Sequence, residues 1–443
     1  MQDILTRKFP VLLIDESQDT KKELIDAFFV VQKIKRTHFS LGLFGDTMQR
    51  IYSDGKENLD RDLPDDWVKP NKKMNHRCAK RIIMLINKIR SNVDAQVQLP
   101  RVEREEGFVR FFIVPHGSQN KAEIEEIVAQ QMETITGDKL WNGNDSDVKT
   151  LTLEHHMVAK RMGFSELYEP LYKSDILKTG LLDGSLPGIR FFTQYILPLI
   201  KAKNSNDDFD VARIVKKYSP FFKNEEFKSS SSPLEIIKQS NKAVFSLFSL
   251  WENNPDPKLI EILQNVSKSG LFSIPEMLAP IASRTKSDQD LAEEYQITEL
   301  TTLIVNEDKD EIIDAWDEAL ASSFTQIEAY NEYISDKAKF GTHQGVKGLE
   351  FPRVLVILDD EEARGFLFKY DKLLVATALT PTDLKNVAEG KETSNDRTRR
   401  LFYVACSRAI NSLAIVIYSE NPELVKKNIL KESWFEESEI EIL

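Results

Sequence analysis

The chain has 443 residues, enough for two or three domains with cores of their own, and its 41% hydrophobic and 29% charged content is that of an ordinary globular protein. A formal net charge of −12 excludes a protein that coats nucleic acid with its whole surface and confines any DNA binding to a local groove. No apolar stretch reaches the length of a membrane span and no basic-then-apolar leader opens the chain, so a cytoplasmic protein with no membrane partner is expected. The two cysteines, Cys78 and Cys406, lie far apart in sequence and away from paired histidines, which disfavours a disulfide framework or a zinc site.

Val11-Leu12-Leu13-Ile14 is an apolar run suited to a strand buried on both faces of a parallel sheet, and it stops at Asp15 and Glu16. Ligands of such sheets sit beyond the carboxyl ends of the strands. The two carboxylates are therefore expected to project toward a bound phosphate and its magnesium ion, one holding the metal's water shell and the next taking a proton from an attacking water. An isolated Asp-Glu pair is more often a polar turn, and only the other motifs decide between the two. A helical stretch, Lys22 to Lys35, leads to a second apolar run, Leu41 to Phe44, which ends in Gly45-Asp46-Thr47-Met48-Gln49-Arg50-Ile51-Tyr52. If the two strands are neighbours, Asp46 and Gln49 stand beside Asp15 and Glu16. The Gln49 amide can then donate to a γ-phosphate oxygen and accept from the water. Taken alone, Gly45-Asp46 reads as a turn and Tyr52 as a core aromatic.

Asp62 to Lys73, with Pro64 and Pro70, reads as a linker. In the next segment Asn75-His76-Arg77-Cys78 precedes a helix with an apolar stripe at Ile82, Leu85 or Ile86, and Ile89, which puts Arg77 near a helix start, where an anion can meet it. Strands are expected over 107–114 and 148–153, around a helix from Lys121 to Glu133, and His155 and His156 read as polar surface or nucleic-acid contacts. From about residue 166 to 335 helix punctuation takes over. Ser232-Pro233-Leu234-Glu235 has the form of a helix start, Asp256-Pro257 opens another helix that Gly270 closes, and Ile312, Trp316, Leu320, Phe324 and Ile327 make one stripe. The α/β pattern then returns. Gly341-Thr342-His343-Gln344-Gly345-Val346-Lys347-Gly348-Leu349-Glu350-Phe351 precedes a strand over 354–358, with glycines that allow close backbone approach and Thr342, His343 and Gln344 offering phosphate hydrogen bonds. A helix over 397–409 carries Arg400 and Arg408 two turns apart, and a strand over 413–418 and a short amphipathic tail follow.

In this order the pieces resemble the motor of the UvrD/Rep-type superfamily 1 helicases. Val11 to Thr20 resembles the family's second motif and Gly45 to Tyr52 its third. Asn75-His76-Arg77 resembles the fourth, Lys347 to Phe351 the fifth, and Arg399 to Ala409 the sixth. The resemblance implies an α/β fold of RecA-like P-loop NTPase motor domains, partial first and complete second, with a mostly helical insertion domain. The implied boundaries are 1–70 for the end of the first motor domain, 71–165 and 336–443 for the two parts of the second, and 166–335 for the insertion. It implies ATP and Mg2+ as substrate and cofactor: Asp15 on the metal with Glu16, Glu16 as general base, Gln49 positioning the γ-phosphate and water, and Arg77 and Arg408 as arginine fingers. It further implies His76 against the adenine, Glu350 on the ribose, and Tyr52, Thr342 and Gln344 on single-stranded DNA.

The sequence departs from the family at the phosphate-cradling loop G-x-x-x-x-G-K-[ST]. Neither Gly55-Lys56 nor Gly390-Lys391 fits it, and fourteen residues precede Asp15. A shortened gene product, a split motor completed by another polypeptide, and a degenerate motor kept for binding are the three explanations. The first ranks highest, because drift would not selectively spare the residues that serve hydrolysis. The expectation is a fragment of an ATP-dependent 3′-to-5′ helicase or translocase on single-stranded or 3′-tailed DNA, inactive alone. The alternative is a non-catalytic DNA- or partner-binding subunit of a DNA repair or anti-phage defence complex, with a nuclease or other repair or defence protein as its partner. A fused nuclease is disfavoured, since about twenty-five residues follow the last strand.

Overall fold

A computed structural model describes residues 2–52, 54–57, 59, 62–118, 120–222, 233–284, 307–335, 338–365, 367–375 and 380–443. They form two compact units, one of residues 1–157 with 339–443 and the other of residues 158–338.

The first unit begins with α1 (Gln2–Lys8), β1 (Val11–Ile14), α2 (Lys22–Ile34) and β2 (Ser40–Leu43). The strands pair in parallel, Val11 opposite Ser40 and Ile14 opposite Leu43, so both deliver their carboxyl ends to one edge. The expectation that β1 is buried on both faces is corrected. Val11 is 58% and Leu13 62% exposed, because this sheet has two strands only and no described element covers that face. Ile4, Phe9, Leu24, Val30, Ile34 and Phe44 are exposed around it.

The short strands β3 (Met74–Asn75) and β4 (Leu99–Pro100) pair with each other and flank α3 (Lys80–Arg90). The main sheet consists of β5 (Phe108–Pro115), β6 (Lys149–Thr152), β7 (Phe340–Thr342), β8 (Phe351–Leu358), β9 (Ala409–Ser419) and β10 (Ile440–Ile442), in the order β10-β5-β9-β8-β6-β7 and parallel throughout. A sheet buried on both faces needs nearly unbroken apolar strands, and Val109 to Val114, Val354 to Leu358 and Leu413 to Ile417 supply them. Helix α4 (Lys121–Thr136) follows β5, and Gly137 ends it in the left-handed conformation. Helix α3 and the helix Ser394–Cys406 pack together, and their apolar faces join the core with Met48 and Ile51 from the first layer. The tail is more than amphipathic: its last residues form β10, pinned where the buried Glu439 carboxylate takes two bonds from Arg81 (2.7 and 2.6 Å).

The second unit contains no strand among its described residues. Its helix Pro233–Asn253 begins at the expected proline, although the Ser232 cap and the Ser229 to Ser232 run lie outside the described residues. The stripe from Ile312 to Ile327 is split between two helices, Glu307–Leu320 and Phe324–Tyr333. The break is fixed by backbone pairing, with Leu259 N donating to Ser322 O (3.0 Å) and Phe324 N to Pro257 O (3.0 Å). Trp316, Leu320, Phe324, Ile327 and Tyr330 are buried with Phe164, Leu167 and Tyr168. No helix among the described residues is long and apolar enough to cross a membrane.

Candidate functional site

The acids at the end of β1 meet basic groups from the loop before β8 and from the turn after the helix Ser394–Cys406. Glu16 is held at φ 49° and ψ 41°, left-handed backbone that a glutamate seldom adopts, so its direction is imposed by its surroundings. Asp15 accepts the Glu16 backbone N–H at 2.9 Å. The buried Gln18 donates through Nε2 to Glu16 Oε2 (2.5 Å) and accepts through Oε1 from Asp46 N (3.2 Å), which ties the end of β1 to the end of β2. Gly45 lets Gln18 keep this position, since a Cβ on it would stand 2.1 Å from Gln18 Oε1 and force that side chain to shift. Lys347 Nζ lies 2.8 Å from Glu16 Oε2 and also pairs with Asp19. Burial pushes the Glu16 carboxyl up, but the Lys347 and Gln18 bonds outweigh it and hold the group below its ordinary value.

Arg77 and Arg408 sit on the other side. Arg77 donates through Nε to Glu350 (2.6 Å) and reaches the Ser407 carbonyl through Nη1 (3.5 Å), and Asn75 fixes the turn by accepting the Arg77 N–H (2.9 Å). Arg408 is 1% exposed. It donates to Val404 O (3.0 Å), Leu349 O (3.1 Å) and Ser407 Oγ (2.7 Å), and among the described residues no carboxylate pairs with it. Burial, with repulsion from Arg77 second, pulls its guanidinium down to about 10; Glu16 opposes the shift from across the site. A buried arginine is ordinarily paired with a carboxylate, whereas this one is held by two carbonyls and a hydroxyl.

The other sequence-derived candidates are distributed around this pair. Gln49 is half-buried, and its amide reaches Asp46 Oδ2 at 3.5 Å. His76 is exposed, with its carbonyl accepting from Arg104 (2.9 Å). Glu350 is exposed and taken by Arg77. Tyr52 is half-exposed on the first layer. Thr342 is buried and its hydroxyl accepts the Gly345 N–H (3.0 Å), while Gln344 is half-buried. His343 is not a phosphate contact: it is fully buried, bonded to the Tyr370 hydroxyl (2.9 Å) and the Leu151 carbonyl (3.2 Å), and burial pulls its imidazole down to about 4. His156 is likewise spent on the Glu362 carbonyl (2.7 Å). Lys56 is held by Asp26 (2.5 Å) and Asp62 (3.0 Å), so it serves no phosphate loop.

Arg90, Tyr403 and Glu392, which the sequence did not single out, join the two layers through Asp46, Arg50 and Arg400. The buried Arg90 binds Asp46 (3.2 Å) and Asp94 (2.7 Å), and the Tyr403 hydroxyl donates to the same Asp46 (3.2 Å). Glu392 receives Arg50 (2.6 Å) and Arg400, whose Nε also donates to the Arg50 carbonyl (2.8 Å). Gln18 and Lys347 lie inside the quoted motifs. Their one sequence signal is position: the second residue after the acid, and the single lysine between Gly345 and Gly348.

The acids lie at the strand end where a magnesium ion and phosphate would stand, and the unpaired Arg408 suits phosphate oxygens. Among the described residues no group of three or more His, Cys, Asp or Glu is placed to hold a metal alone. Asp15 and Glu16 are oxygen donors of the kind magnesium takes, and magnesium commonly fills its other positions with waters and phosphate oxygens.

No family model matches the chain. Among curated proteins it is similar to Gabija protein GajB of Bacillus cereus (strain HuB5-5), with 25% identity over 448 residues, covering 94% of this chain and 59% of that protein. The chain thus spans about three-fifths of the length of the curated relative it matches.

Proposed function

We propose that the chain is part of an ATP-driven 3′-to-5′ translocase or helicase on single-stranded DNA, of the UvrD/Rep type. On this reading residues 1–70 belong to a first RecA-like domain, 71–165 and 336–443 to a second, and 166–335 to a helical insertion. The observation that carries it is Arg408, a buried cation with no carboxylate partner among the described residues, beside Arg77 and opposite the acids of β1. That is the charge arrangement a transferring γ-phosphoryl group requires.

Glu16 takes the proton from the attacking water, Gln49 orients that water, and Arg77 and Arg408 stabilise the charge on the equatorial oxygens. Magnesium, held at Asp15, would supply neutralisation of the β- and γ-phosphate oxygens. Arg77 must leave Glu350 to reach the phosphate, which frees Glu350 for the ribose. His76 offers an exposed ring to the base. Tyr52 and Gln344 offer their side chains to the strand, where stacking on an aromatic is blind to sequence, while Thr342, buried and bonded to the Gly345 N–H, shapes the turn that carries Gln344. Polarity follows from the resemblance alone.

The sequence contains no G-x-x-x-x-G-K-[ST] loop, so this chain by itself is expected to bind ATP weakly and hydrolyse little. The exposed apolar face of β1, α1 and α2 supports completion of the site by a further strand-bearing segment. The same two observations favour a second reading, a non-catalytic DNA- or partner-binding subunit of a repair or defence complex. DNA-stimulated ATP hydrolysis is to be measured on this chain and on a form extended by its upstream coding sequence, with Glu16→Gln as control. Activity in the extended form that Glu16→Gln removes supports the motor. An inactive extended form with intact DNA binding supports the binding subunit, and activity in the short chain refutes its incompleteness.

A further inference from the structure

The carboxylate at the end of β1 is gripped from the opposite layer by one side chain. Lys347 Nζ stands 2.8 Å from Glu16 Oε2 and pairs with Asp19 as well, and its side chain is 11% exposed. Gln18 Nε2 occupies the same Glu16 oxygen at 2.5 Å. One oxygen of the carboxylate is thus held by an amide and an ammonium, while no described donor holds Oε1. A base with one oxygen clamped and the other open has a single orientation in which to receive a proton. Gln18 belongs to the same turn as Glu16 and travels with it. Lys347 does not: it sits between Gly345 and Gly348 in the turn leading to β8, and Gly348 has φ +83°. The clamp therefore exists only at this separation of the two layers.

We propose that Lys347 is a positioning residue for hydrolysis: it holds Glu16 Oε2 from across the cleft, aims Oε1 at the attacking water, and releases it when the layers part. The inference rests on the motor reading and deepens it, because it makes the aim of the base depend on closure of the two layers. Asp19 anchors the ammonium, since its side chain is 12% exposed and meets the same Nζ.

Two measurements test it. In the nucleotide-free chain, acetylation by an N-hydroxysuccinimide ester is followed by mass spectrometry. Lys347 should react at least about tenfold more slowly than the exposed Lys385, and the pair of changes Glu16→Gln and Asp19→Asn should bring it up to the rate of Lys385. Reaction of Lys347 at the Lys385 rate in the unaltered chain overturns the clamp. In the extended, hydrolysing form, Lys347→Met should lower kcat by about a hundredfold, the lower range for a displaced general base. The KM for ATP and the DNA affinity should stay within error, and Lys347→Arg should recover part of the rate. An unchanged kcat, or a kcat that falls only together with the melting temperature and without rescue by arginine, overturns the proposal. An extended wild-type form that hydrolyses no ATP defeats the motor reading itself, a failure distinct from an active enzyme indifferent to Lys347.

Discussion

Arg408→Met should leave the protein at least as stable as it was while abolishing hydrolysis. Its folded-state pKa falls to about 10 from the ordinary 12.5, with burial as the first cause and Arg77 as the second. A shift of that size corresponds to about 3 kcal/mol at neutral pH, by which the charged side chain opposes folding. Against this stand three lost donations. Val404 O and the Ser407 hydroxyl keep each other as partners, the hydroxyl donating to that carbonyl at 2.9 Å. Two of the three acceptors thus retain a bond, and the net change should be a gain of up to about 2 kcal/mol. Urea unfolding followed by circular dichroism measures it. In the extended form the same variant should lower kcat about a thousandfold or more, as loss of an arginine finger does. A stability loss above about 1 kcal/mol would refute the claim that this guanidinium is buried against its own interest. A stable variant that still hydrolyses at the normal rate would remove Arg408 from the site.

Gly45→Ala should cost about 1–3 kcal/mol in urea unfolding, because its Cβ would press on Gln18 Oε1, and it should lower hydrolysis by more than its stability cost explains. Arg90→Met and Asp46→Asn should be non-additive by about 1–3 kcal/mol in a double-mutant cycle; additivity within error would mean that their 3.2 Å contact carries nothing. His343 binds its proton less readily folded, at about 4, than unfolded, so its contribution is complete above about pH 6.5 and declines as the pH falls toward 4. Unfolding at pH 7.5 and pH 5 should differ by about 2 kcal/mol more in the wild type than in His343→Gln; equal differences would refute it.

The strands of both layers were legible because parallel sheets need continuous apolar runs, and Val11 to Ile14 and Val354 to Leu358 are such runs ending in acids. The partnership of their ends was not, since Lys347 and Glu16 are 331 positions apart and no local pattern joins them. β10 escaped notice because Ile440 to Ile442 is too short for a periodic signal, and its place depends on the distant Arg81. His343 was misjudged for a physical reason: between Thr342 and Gln344 a polar residue looks exposed, yet the turn sends it inward to Tyr370. The left-handed Glu16 had no sequence signal, since a glutamate seldom adopts that conformation and its partners Gln18 and Lys347 meet its carboxylate only in the fold.

The contacts joining the two layers are mostly charged, and this bears on how a motor could use them. Asp46 takes Arg90 and Tyr403, Glu392 takes Arg50 and Arg400, and Lys347 takes Glu16 and Asp19, while Met48 and Ile51 supply the apolar part. Two arginines share the single Glu392 carboxylate, and burial with repulsion from Arg50 pulls Arg400 down to about 9. Arg408 adds a further cation without a counter-charge. The second side of the cleft therefore carries positive charge that its own carboxylates do not balance, and the first side carries acids now balanced by a borrowed lysine. A polyphosphate entering with its metal would satisfy both sides at once, its oxygens taking the arginines and its metal the acids. On the motor reading, hydrolysis would divide the negative charge and end that double satisfaction, and exchange among these ion pairs would then let the layers part.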